Sequence, residues 1–414
     1  MNGPATTSEY DIVIVGAGMV GAALAAALAP TGLKLLLLEA NRPEPFDSNQ
    51  PHDLRVSAIS PASENFIRHI GAWQGVEQRR LCPYKRMRVW ETSGQGDTRF
   101  DCADIDQPVL GHIVENRILQ LALWDRLERS DNVELRCPIR VQQLQYQDGQ
   151  GPTELYCDDG SRISCRLLVA ADGGFSWVRQ QAGIGVHNWS YPQQALVAYV
   201  KTRYPQQDIT WQRFVSSGPQ AFLPLSGPYG SVVWYNRPEE VTRLQALNEG
   251  QFLEELEAAF PSELGDIEQL LGRASFPLRS QYALDYVKPG LALVGDAAHM
   301  IHPLAGQGVN IGLLDAAELA QQVGDALQAG QDWASLPVLK QYQQARKQHN
   351  LMMMGGMDLI CRVFSNDKAP LKLLRNIGLG MAQRLTPARN QAMKFAMGLD
   401  GKFPRATQPD NGAR

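Results

Sequence analysis

The chain has 414 residues, 44% of them apolar, and a net charge of −4 at pH 7. That length suits two or three domains with a sizeable core, and no basic block argues for a nucleic-acid partner. The six cysteines, Cys82, Cys102, Cys137, Cys157, Cys165 and Cys361, form no CxxC pair. No metal site or dithiol motif is therefore expected, and free thiols in a reducing cytoplasm are. The first ten residues lack an export pattern, and no apolar run reaches the roughly 18 residues of a membrane span. The expectation is a soluble, cytoplasmic protein, with a peripheral seat on a membrane surface left open.

In chain order, Tyr10 to Val15 reads as a buried parallel strand, Met19 to Leu28 as a helix of small residues, and Leu33 to Glu39 as a second parallel strand. Strand, glycine turn, helix and strand within about 30 residues is the unit that opens a dinucleotide fold. Val114 to Arg129 has helical spacing. The segment up to Val169 alternates and carries turns at Asp148-Gly149 and Asp159-Gly160, which predicts a small antiparallel hairpin region. Arg166 to Ala170 reads as a returning core strand. Gln194 to Tyr235 holds several short strands punctuated by Gly and Pro, the texture of an antiparallel second domain. Glu239 to Phe260 is helical, Leu291 to Val294 is a buried strand, and Asn310 to Leu327 is a helix. From Trp333 to about Leu399 the pattern is mostly helical, with a break near Asn366 to Pro370. The last dozen residues are expected to be a disordered tail.

Three segments carry nucleotide-binding chemistry. In the first, Gly16 permits the tight turn after a strand, Gly18 lets backbone approach a pyrophosphate, and Gly21 lets the helix pack on the sheet. The helix N-terminus then faces phosphate, and Glu39 ends the second strand where ribose hydroxyls are bound. This element does not choose between FAD and NAD. The second segment is Asp172-Gly173 after a strand, which an ordinary Asp-Gly turn would match equally well. In the third, an apolar strand runs into Gly295-Asp296, whose carboxylate can bind a ribitol or ribose hydroxyl. It continues through Pro303, Gly306, Gln307, Gly308, Val309 and Asn310, where glycines open a helix whose positive end can face an anionic ring.

The order of fingerprint, DG and GD resembles the FAD-binding aromatic hydroxylase superfamily typified by para-hydroxybenzoate hydroxylase. Leu54 to Ser60, Gly111 to Asn116 and Asp296 to Asn310 narrow the resemblance to the bacterial ubiquinone-biosynthesis hydroxylases, across about residues 8 to 400. Gly183 to His187, Gly218 to Leu225, Val233 to Tyr235, Gly356 to Leu359 and Phe364 to Asn366 are most similar to the branch acting on 2-polyprenyl-3-methyl-6-methoxy-1,4-benzoquinol. Sister branches act at other ring positions. Ala171 departs from the glycine usual before the Asp-Gly.

The resemblance implies an α/β protein: a Rossmann-like FAD-binding domain with a parallel sheet, an antiparallel-sheet substrate domain, and C-terminal helices. The expected division is residues 1–80, 111–190 and 281–332 for FAD, 81–110 and 191–280 for substrate, 333–402 helical, and 403–414 as the tail. It implies FAD, NAD(P)H as a transient reductant, and O2 activated as a flavin C4a-hydroperoxide that attacks the ring of a prenylated benzoquinol. It also implies that Arg55 lies near the flavin and its phosphates and that Gln120 reaches the flavin edge, although a surface ion pair and a solvated helix position are the plain alternatives.

No general base is legible, and His299 and His302 can equally bond backbone. Phe222, Pro224 and Trp234, with their neighbours, are candidates for the substrate pocket, although alternating aromatic residues are as often core. The methionine-rich C-terminal helices suit an internal seam, a membrane surface or another protein of the same pathway, and the sequence leaves a homo-oligomer open. Two other classes also stay open: a flavin reductase or dehydrogenase that incorporates no oxygen, and a non-enzymatic FAD-binding scaffold.

Overall fold

The computed structural model describes residues 7–91, 97–261, 266–301, 306, 308–364, 386–401 and 403–409. The chain begins with β1 (Thr7–Val15), α1 (Met19–Leu28), β2 (Leu35–Leu38), β3 (Val56–Ile59), α2 (Pro61–His69) and α3 (Trp73–Glu77). Next come β4 (Cys82–Tyr84), β5 (Arg86–Glu91), β6 (Asp97–Asp101), β7 (Gly111–Glu115) and α4 (Asn116–Leu127). Strands β8 (Val133–Arg136), β9 (Val141–Gln145), β10 (Thr153–Cys157) and β11 (Arg162–Ala170) lead to the short α5 (Trp177–Gln181).

The first sheet runs β8-β2-β1-β11 in parallel through its centre, and its two central strands are apolar on both faces. Ile12, Leu35 and Leu167 on one face and Val13, Leu36 and Leu168 on the other have no exposed surface, as expected of a sheet covered on both sides. Helix α1 is built from alanines and leucines and is almost wholly buried, so it packs as a thin layer between sheet and neighbouring helices. β9 and β10 form the expected hairpin onto β11, while β8 instead extends the parallel sheet.

The second sheet carries β12 (Val186–Thr202), β13 (Ile209–Val215), β14 (Gly218–Pro224) and β15 (Tyr229–Asn236). Helices α6 (Pro238–Ala246) and α7 (Glu249–Ala259) replace the single helix expected there, because Asn248 starts α7 with a complete capping box. Then follow β16 (Ile267–Ala283), β17 (Val287–Lys288), β18 (Leu291–Leu293), β19 (His299–Met300), α8 (Gly308–Gln328), α9 (Leu336–Phe364) and α10 (Thr386–Ala396). This sheet runs β19-β16-β12-β15-β14-β13-β5-β6 and is antiparallel except where β13 meets β5. One face packs Leu196, Trp211, Phe222, Val232 and Trp234 against Val241, Leu244, Phe252 and Leu256 of α6 and α7.

Part of the expected tail is ordered. Residues 405–407 form a 3-10 turn with Thr407 buried, and the Thr407 carbonyl accepts from Asn65 Nδ2 at 3.2 Å. Polar composition predicted disorder there, but these backbone groups find partners on α2 and α8. Among the described residues no helix is long and apolar enough to cross a membrane, and no cluster could hold a metal ion.

Candidate FAD site and substrate cavity

Parallel pairing brings three distant strand ends together: β1 pairs with β11, and β11 with β18. Their following turns meet at one cavity of about 450 Å³, in the size range of small-molecule sites, roughly 300–1,000 Å³. Gly16 sits at φ +100°, and a Cβ there would lie 2.4 Å from the Ala171 carbonyl oxygen. At Gly21 it would lie 2.0 Å from the Gly16 carbonyl oxygen. At Gly18 it would meet nothing within 4 Å, although Gly18 lines the cavity. Two glycines thus serve protein packing, while the third leaves room for something other than protein. The first turn of α1, with its unpaired N–H groups, opens beside that room through Met19 and Val20.

Neither Glu39 nor Gln120 lies on the wall of this cavity. The Ala17 N–H donates to Glu39 Oε2 at 2.8 Å, and its carbonyl accepts from Gln120 Nε2 at 3.0 Å and Trp124 Nε1 at 2.8 Å. Both side chains therefore clamp the peptide between Gly16 and Gly18. Trp124 gave no sign in the sequence beyond its place in an apolar stripe.

Asp172 also turns inward. Its Oδ2 accepts from Val178 N at 3.1 Å at the start of α5, its Oδ1 is buried without a partner, and burial raises its pKa. Gly173, by contrast, lines the cavity. Arg179, buried on α5, ties this turn to the third segment by donating to the Ala297 carbonyl at 2.8 Å and the Gly174 carbonyl at 3.0 Å. Nothing in the sequence set Arg179 apart.

The third segment presents Asp296 to the cavity, with Gly295 at φ +59°. Asp296 is open to the cavity but enclosed by protein beyond it. Desolvation raises its pKa, and the charges of His299 and Arg55 oppose the rise. Arg55 lines the same cavity, its guanidinium 5.7 Å from the Phe276 ring centre. Gly306, Gly308 and Val309 also reach the wall. Asn310 does not: it pins α8 to β3, accepting from Ser60 N at 2.9 Å and donating to the Ala58 carbonyl at 2.8 Å. His302, Pro303 and Gln307 lie outside the described residues.

Behind Gly295 sits a buried ionic cluster that the sequence concealed. Asp315 is fully buried on α8 and accepts from Gly295 N at 3.2 Å, Arg346 Nε at 2.9 Å and Asn350 Nδ2 at 3.1 Å, and it pairs with His299 Nε2. Those partners, chiefly His299, outweigh the desolvation of Asp315 and hold its carboxyl down at about 2. His299 thus bonds a carboxylate, not backbone, and lies behind the cavity wall. Its one early signal is an aspartate in the largely apolar run IGLLDAAELA.

The opposite wall is the second face of the antiparallel sheet. Ala195, Val197, Ala221, Leu223, Ser231, Val233 and Tyr235 alternate onto it, with Gln212 from β13. Phe222 and Trp234 point the other way, into the core against α6 and α7, and Pro224 shares the parity of Phe222 and is absent from the wall. The strand period of two makes this a one-residue error: the neighbours of each expected residue line the cavity.

The donor set fits a flavin dinucleotide: an open glycine cradle at a helix N-terminus, a carboxylate on the cavity, and a cation facing it. Residues 9–354 match a family model described as an FAD binding domain. The 3-demethoxyubiquinol 3-hydroxylase of Escherichia coli K12 is 44% identical over 394 residues, covering 95% of this chain and 100% of that one. The mitochondrial ubiquinone biosynthesis monooxygenase COQ6 of Xenopus tropicalis is 37% identical, with 95% and 94% covered. The chain belongs to the FAD binding domain family, in the group that holds these ubiquinone-pathway hydroxylases, and FAD is its cofactor. Solved structures share the fold. PqsL, described as a probable FAD-dependent monooxygenase from Pseudomonas aeruginosa, superposes with a TM-score of 0.75 at 21% identity, covering 90% of this chain and 99% of that one. The p-nitrophenol 4-monooxygenase PnpA of Pseudomonas putida gives 0.77 at 17% identity, covering 96% and 100%.

Proposed function

We propose that this protein hydroxylates the ring of a prenylated benzoquinol in ubiquinone biosynthesis, with 2-polyprenyl-3-methyl-6-methoxy-1,4-benzoquinol as the best candidate. NAD(P)H serves as the transient reductant and O2 as the oxygen source. The observation that carries this reading is one cavity walled by the glycine motifs on one side and by an apolar sheet face on the other. Bound FAD supplies the oxygen-activating chemistry. The chain itself binds, orients and excludes water. The start of α1 and Gly18 receive the pyrophosphate. Asp296 accepts hydrogen bonds from flavin-chain hydroxyls, and Arg55 balances negative charge within the same cavity. Leu223, Val233 and Tyr235 form a dry wall against which an apolar ring can rest. On this reading the protein works beside the inner membrane that holds its substrate, near other proteins of the pathway.

The test is a quinone profile, by mass spectrometry, of a bacterium lacking the gene. Accumulation of the demethoxy precursor, cured by the wild-type gene but not by Asp296→Ala, supports the reading. An earlier precursor would move the substrate to another ring position, and normal ubiquinone would overturn the pathway. A reductase would consume NAD(P)H in vitro without placing labelled oxygen in product, and a scaffold subunit would show no substrate-stimulated oxidation.

A further inference from the structure

A second cavity of about 310 Å³ lies beside the first on the same face of the antiparallel sheet, and it shares Gln212, Ala221 and Leu223 with it. Its remaining lining is unlike the first. Met87 comes from β5, Met353 and Met357 from α9, Met393 from α10 and Met397 from the turn just after it, with Phe100, Leu110 and Trp211 between them. There is room for several waters but little to hold them. The Ser60 hydroxyl is engaged with Ser63 in capping α2. A space of this kind is poor for water and good for hydrocarbon. Methionine is the side chain that best adapts its shape to a flexible apolar guest.

We infer that this methionine-lined cavity is a tail subsite that takes the isoprenoid chain of the substrate while the ring stays in the first cavity. The inference rests on the quinol reading above. The shared border of the two cavities decides the occupant. Gln212, Ala221 and Leu223 line both, so a guest that spans them presents one end to the flavin cavity and the other to the methionines. A polar cofactor would leave its polar atoms unpaired among the methionines. Five methionines converge on it, four from β5, α9 and α10 and the fifth from the turn after α10. A seam that merely joined helices would close instead of leaving this volume.

The experiment uses FAD-loaded protein and two ligands: 3-methyl-6-methoxy-1,4-benzoquinone bearing a farnesyl tail, and the same quinone without a tail. Calorimetry measures the binding of each to the wild type, Met357→Trp and Met87→Trp, and turnover is measured with the corresponding quinols. Met357→Trp and Met87→Trp fill the tail cavity from two different elements. The wild type is expected to bind the farnesyl quinone at least tenfold more tightly than the tail-less one. Either variant is expected to reduce that ratio to within about twofold, with the loss of kcat/KM confined to the farnesyl quinol. Equal binding of the two quinones by the wild type overturns the tail subsite, whether or not the quinols are hydroxylated. A tail preference retained in both variants also overturns it. Tail-dependent binding that the variants abolish, without hydroxylation of either quinol, keeps the tail subsite and refutes the hydroxylase reading instead.

Discussion

Arg346→Met isolates the ionic support behind the flavin site. The methionine keeps the length and apolar stem of the arginine but removes its charge. Arg346 is 2% exposed and donates to Asp315 at 2.9 Å and to Asn350 Oδ1 at 2.9 Å. Removing one partner of such a buried pair typically costs about 3–5 kcal/mol, because the other charge stays behind in protein. Here the low end applies, since Asp315 retains His299, Asn350 Nδ2 and the Gly295 N–H. An unfolding entropy of about 2.1 cal/mol/K per residue makes about 0.9 kcal/mol/K for 414 residues, so a loss of about 3 kcal/mol lowers Tm by about 3 °C. The assay is reversible thermal unfolding of FAD-stripped protein, followed by tryptophan fluorescence. FAD affinity should fall as well, because the Gly295 turn hangs on Asp315. A Tm within 1 °C of wild type, with FAD affinity unchanged, would refute the view that this cluster braces the site.

The glycines of the first turn should separate into two classes. Gly18→Val should fold normally, by circular dichroism and Tm of the FAD-stripped protein, yet purify without FAD. Gly21→Val should lower Tm of that same apoprotein, since its side chain meets the Gly16 carbonyl. Equal behaviour of the two would remove the phosphate role of Gly18. Asp296→Ala should release FAD on dilution, checked by flavin fluorescence, and undiminished retention would discard its part in binding. Desolvation, aided by Arg80, holds His52 down at about 4 against its ordinary 6.5. The unfolded chain therefore binds the extra proton first, and this contribution to stability is present above pH 6.5 and lost as pH falls towards 4. His52→Phe should flatten the decline in Tm over that window, and an unchanged slope would argue against a neutral buried ring.

The parts of the fold that repeat a local rule were legible in the sequence. The helix Met19–Leu28 has the bounds its pattern implies, because a glycine turn precedes it and small residues pack it on both sides. β16 was not legible. Its 17 residues include Gly272 and Pro277 and do not alternate cleanly, and its pairing with β12 shifts register in three places. Irregular register erases the period of two on which strand recognition depends. At the site, Gly18, Gly173, Gly308 and Asp296 reach the cavity expected of them. Glu39, Gln120 and Asn310 bond backbone groups of distant segments, contacts that no local pattern announces. Asp315 and Arg346 stand 31 residues apart on two helices, a separation at which no local pattern announces a pair.

The meeting of β1, β11 and β18 has a consequence for how the protein is made. The turns after residues 15, 170 and 293 must all be in place before the flavin cavity has walls. At about 5–20 residues per second, a ribosome needs roughly 15–60 s to reach the third of them. For that interval the nascent chain carries a complete fingerprint turn that can touch only one end of the cofactor. Flavin capture is thus a late event of synthesis, and a truncated chain that ends before β18 should emerge colourless however well its first strands have paired.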